Sequence, residues 1–117
     1  MHYALVPVGI AGILVSLVHG YLGQTHLIAR AEFPGRTARG FVSLIWQYST
    51  VTWVACCGLI AASPWLFDER TRPLGVGLAC LPLLYGTLGN AWVSRGRHFG
   101  WKALAAVIAA AIALSFA

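Results

Sequence analysis

The sequence predicts an all-α integral membrane four-helix bundle, a single domain with both termini on the outer, periplasmic side. Three observations predict it. Hydrophobic residues make up 59% of the 117 and charged residues only 9%, with a mean hydropathy of +0.76, far from a soluble domain. A bilayer core takes about 20 apolar residues per helix, and the chain supplies four such stretches with little left for an extramembrane domain. The charged residues gather in the three connections between them.

The first span covers about residues 4–28. Pro7 lies in its first turns, where a missing N–H costs little. No charged region precedes its long apolar run, so it is read as a retained span rather than a signal peptide. On a helical wheel at ~100° per residue, Gly9, Gly12, Ser16, His19, Gly20, Gly23 and His26 fall within about a third of the circumference. Ile10, Leu14, Leu17, Tyr21 and Ile28 lie opposite. The small face suits close approach of another helix, from this chain, a second copy or another membrane subunit, and the bulky face suits lipid.

The first connection carries Arg30, Arg36 and Arg39 around the turn residues Pro34 and Gly35. The second span, about 41–62, is expected to end before Pro64. The second connection holds Asp68, Glu69, Arg70 and Arg72. The third span, about 73–93, opens on Pro73, and Pro82 in its interior should kink it, freeing the carbonyl of Leu78. The third connection holds Arg95, Arg97, His98 and Lys102, and the fourth span, about 101–117, is short and alanine-rich. The first and third connections hold more Lys/Arg than the second, so the positive-inside rule puts them in the cytoplasm of a bacterial inner membrane. Arg36, Arg39, Arg95, Arg97 and Lys102 would then meet lipid headgroups, with His98 beside them. Nucleic-acid binding is disfavoured despite the net charge of +5, because the basic residues form no patch able to follow a phosphate backbone. No internal repeat points to an inverted-repeat transporter.

With that topology His19, His26, Gln47, Tyr48, Thr87 and Asn90 all fall in the cytoplasmic half, where their helices should bring them together. Gly86 joins the packing residues, on a third-helix face with Thr87 and Asn90. Such a network is either interhelical glue, each bond worth about 0.5–2 kcal/mol, or a small pocket for a ligand or proton. His19 and His26 lie about 10 Å apart along one helix, too far to share one metal ion, and no metal site or required cofactor is read from the chain. Cys56 and Cys57 point about 100° apart, whereas Cys57 and Cys80 should share a depth. Trp46, Trp65, Trp92 and Trp101 are placed at span ends, with Trp53 deeper.

The segments His19-Gly20-Tyr21-Leu22-Gly23 and Arg95-Gly96-Arg97-His98-Phe99-Gly100-Trp101 resemble those of uncharacterised small four-helix bacterial inner-membrane proteins. The likeness covers helix order and implies the same fold, with no activity attached. This chain has Gln24 and Gln47 where those relatives carry an acid and a histidine. It lacks the intramembrane glutamate of small multidrug-resistance transporters, since Glu32, Asp68 and Glu69 all lie in connections, and it shows no match to fluoride-channel motifs.

The function expected from the sequence is a non-catalytic structural or accessory subunit of a larger membrane assembly, an energy-transducing one being one option. One alternative is a small homodimeric transporter or channel with a polar site around His19, Gln47 and Asn90. Another is a haem- or quinone-binding membrane subunit.

Overall fold

The computed structural model describes all residues, 1–117. It is all-helical: α1 (Leu5–Leu22), preceded by a 3-10 turn (His2–Ala4) and prolonged by a π-helical turn (Gly23–Ile28), then α2 (Arg36–Leu66), α3 (Arg72–Val93) and α4 (Phe99–Ser115). Each helix packs on its neighbour in sequence and α4 closes against α1, giving an up-and-down bundle of 51 × 26 × 18 Å. Three stretches, His2–Ile28, Arg36–Leu66 and Arg72–Val93, are long and apolar enough to cross a membrane. At 17 residues α4 is shorter, about 25 Å.

The glycine face of α1 is consumed inside the chain. A Cβ on Gly9 would lie 2.5 Å from the Ala61 backbone nitrogen and one on Gly12 would lie 2.5 Å from the Cys57 sulfur. One on Gly20 would press on Thr50, and one on Gly23 would overlap the Trp46 indole. Gly9, Gly12, Ser16, Gly20 and Gly23 are all buried. This corrects the expectation that the face serves another subunit or a second copy: α2 already occupies it. Lipid tails are as apolar as leucine side chains, so such close backbone approach, gaining dispersion contacts, is what holds helices together in a bilayer. Gly86 does the same on α3, where a Cβ would overlap Trp53.

The core proper lies in the half of the bundle near the chain termini, around Leu5, Cys57, Ile60, Val76, Leu83 and Ala111. Cys56, Cys57 and Cys80 are free thiols, the latter two core residues. Only 22 of 117 residues are buried, and Ile10, Leu14, Leu17, Tyr21, Leu81, Tyr85 and Trp92 stand exposed, an outer surface suited to lipid.

Two helix boundaries and one facing differ from expectation. The second helix starts at Arg36, directly after Gly35 at φ 145°, and so takes Arg36 and Arg39 into its first turns. It also runs through Pro64 to Leu66. Proline removes the backbone donor that would reach the Ile60 carbonyl, and the Ser63 hydroxyl donates to that carbonyl at 2.7 Å. Ile28, expected on the lipid face, is 2% exposed. The Ala29 N–H bonds the Gln24 carbonyl five residues back, and the extra residue in that turn rotates Ile28 inward. Pro82 lies within an unbroken α3.

Candidate functional site: an open cleft at the basic end of the bundle

At the end of the bundle away from the termini the helices stand apart. Between them lies a cleft of about 1210 Å³, to which all four helices contribute. Its rim includes Leu14, Val18, Leu27, Val93 and Phe99, all exposed on the outer surface, so the cleft is continuous with the face that suits lipid. No Lys, Arg, Asp or Glu lines it. This end of the bundle nevertheless carries six of the eight basic residues: Arg30, Arg95 and Arg97 in the connections, Arg36 and Arg39 at the start of α2 and Lys102 in the first turn of α4. Arg36, Arg39, Arg95, Arg97 and Lys102 are all exposed, as headgroup contacts would be.

His19 forms part of the inner wall. Its ring stacks on Trp46 at 4.4 Å between centroids with 14° between planes, and it packs against Trp53 at 4.3 Å. The Ser49 hydroxyl donates its only hydrogen to the Trp46 carbonyl at 2.6 Å, so towards His19 it accepts. The contact of 3.3 Å between them therefore places the proton of a neutral His19 ring on Nε2 and leaves Nδ1 an acceptor.

The same counting fixes His26. Thr25 donates its hydroxyl hydrogen to the Tyr21 carbonyl at 2.7 Å, so it accepts from His26 Nδ1 at 2.8 Å, and in a neutral ring Nε2 is then an acceptor. On the opposite wall His98 caps α4, its Nδ1 accepting from the Gly100 N–H at 3.0 Å, so Nε2 carries the proton and donates. A Cβ on Gly100 would lie 2.9 Å from His98 Nδ1 and 3.8 Å from Asn90 Nδ2, so the two side chains flank one point. With neutral rings the cleft thus offers two ring acceptors, from α1 and its π-helical extension, and a ring donor and an amide from the α3–α4 corner.

The expected convergence is partial. His19, His26 and Asn90 line the cleft. Gln47 instead joins the α1–α2 seam, donating to the Gly20 carbonyl at 3.4 Å and to Gln24 Oε1 at 3.3 Å, and Ser43 donates to that same oxygen at 2.8 Å. Thr87 is buried and satisfied within its own helix by the Leu83 carbonyl at 2.8 Å. Tyr48 is 72% exposed on the outer surface, because α2 turns its Trp46–Trp53 side, not Tyr48, towards α1. Trp46 is tucked between helices rather than placed in an interfacial belt, its Nε1 donating to the His19 carbonyl at 3.2 Å.

Sequence reasoning missed Ser49 and the inward role of His98. Histidine is not a favoured N-cap, so the capping signal at His98-Phe99-Gly100 is weak, although Gly100 two residues on leaves room for the ring. No family of known proteins, no curated protein and no solved structure matches the chain.

Proposed function

We propose that this chain is a four-span protein of a bacterial inner membrane, with both termini outside, that serves as a non-catalytic accessory subunit holding a membrane-soluble small molecule. In this orientation the cleft lies in the cytoplasmic half. The observation that carries the proposal is the cleft itself: apolar walls, no Lys, Arg, Asp or Glu in the lining, a rim open towards lipid, and histidines whose own bonds occupy one ring nitrogen and leave the other free. Ligand sites for apolar molecules combine mostly hydrophobic walls with a few placed polar groups in this way. The packed half around Leu5, Ile60, Val76 and Ala111 counts against a continuous channel, as does the seam position of Gln47.

Native mass spectrometry of the protein gently solubilised from its own membranes tests both halves of the proposal. A heteromeric mass supports the accessory role, and a retained small molecule supports the binding role. Gly89 lines the cleft and has open space where a Cβ would stand, so Gly89→Phe should fill the cleft and release the molecule. A bare monomer or homodimer carrying nothing overturns both.

A further inference from the structure

Resting on the binding role just proposed, we infer that the cleft takes a neutral, planar ring bearing carbonyl or hydroxyl oxygens on a long apolar tail, the isoprenoid quinone and quinol class. Charge decides first. A phospholipid phosphate or the propionates of a haem would enter a cleft whose lining holds no Lys or Arg, and a buried anion without a partner is costly. A quinone brings no charge.

Hydrogen-bond polarity decides next. A quinone carbonyl only accepts, and the α3–α4 corner supplies donors for it, the Asn90 amide and Nε2–H of His98, two residues that both line the cleft. A quinol hydroxyl also donates, and in neutral rings Nδ1 of His19 and Nε2 of His26 are acceptors left free by their own bonds to Ser49 and Thr25. Asn90 Oδ1 can accept as well. Both redox forms of the ring therefore find complementary partners.

Shape agrees. Trp46, Trp53, Phe99 and Trp101 give the cleft flat aromatic surfaces, and its rim of Leu14, Val18, Leu27 and Val93 leads out to the lipid face, where a tail would run.

The test is a titration of the full-length protein, in phosphatidylcholine nanodiscs, with decylubiquinone while tryptophan emission is followed, since three of the five tryptophans line the cleft. Saturable quenching is expected in the wild type, with affinity about tenfold weaker in Asn90→Leu. The saturable component should vanish in Gly89→Phe and persist in Gly77→Phe, a site with equal open space outside the cleft. Circular dichroism confirms that each variant is folded, and the wild-type curve stands independently of them. Quenching that rises without saturation, and is the same in Gly89→Phe, overturns the assignment. If the protein from its own membranes carries a molecule of another class that Gly89→Phe releases, the quinone assignment falls while the binding role stands. An empty cleft together with no saturable quenching removes both.

Discussion

Glycines in this chain divide by what surrounds them. Gly9 faces the Ala61 backbone at a distance no Cβ tolerates, whereas Gly58, on the helix it packs against, has nothing within reach. Gly9→Ala should therefore cost about 1–3 kcal/mol through forced separation of α1 and α2. Gly58→Ala should leave stability unchanged or raise it by up to about 1 kcal/mol, both read from thermal unfolding in detergent. The wheel drawn from the sequence shows that Gly9, Gly12, Gly20 and Gly23 share a face, but not whose backbone meets it, because intrachain and intersubunit packing demand the same small residues. Outside the spans, Asp68 Oδ1 accepts from the Thr71 hydroxyl at 2.7 Å, the Thr71 N–H at 2.8 Å and the Arg70 N–H at 3.0 Å. The Thr71 hydroxyl foremost holds the Asp68 carboxyl below the ordinary carboxylate range. A carboxyl depressed in the fold stabilises above its unfolded value and ceases to do so as pH falls through the lowered one. Melting temperature should therefore drop below about pH 4 more in the wild type than in Asp68→Asn, and equal slopes would discount the turn.

Helices here survive features that ordinarily end them, because side chains take over backbone bonds. Pro64 should terminate α2 by the rules that read proline as a breaker, yet Ser63 serves the Ile60 carbonyl and the helix continues to Leu66. Ser63→Ala is expected to cost about 1 kcal/mol, and much less in a Pro64→Ala background, where a backbone N–H returns to that carbonyl. Equal costs in the two backgrounds would show the hydroxyl to be incidental. The wide turn at Gly23–Ile28 has a similar origin: just before it, Trp46 and Gln47 reach across from α2 to the His19 and Gly20 carbonyls. The four helices and their order were legible from hydropathy alone. The wide turn was not, since it depends on donors from another helix 27 residues away. His19, His26 and Asn90 were legible as an intramembrane polar set, but Tyr48 and Thr87 carry the same polar signal and point elsewhere.

At the scale of the molecule, charge and length are both uneven. Six basic residues at the cleft end against Arg70 and Arg72 at the other give the orientation its basis. Alkaline phosphatase joined after Ala117 should be active, and joined within the Ser94–His98 connection inactive. The reverse pattern would move the cleft to the outer half. The helices also differ in span: α2, with 31 residues, extends about 46 Å and α4 about 25 Å, against a hydrocarbon thickness of about 30 Å. In the proposed four-span arrangement the bilayer thins where it meets α4, and α4 forms one wall of the cleft. The protein should melt at a lower temperature in nanodiscs of long-chain lipid than in short-chain ones, and acyl-chain length becomes a lever on the cleft mouth, opening or pinching it as the membrane deforms to cover its shortest helix.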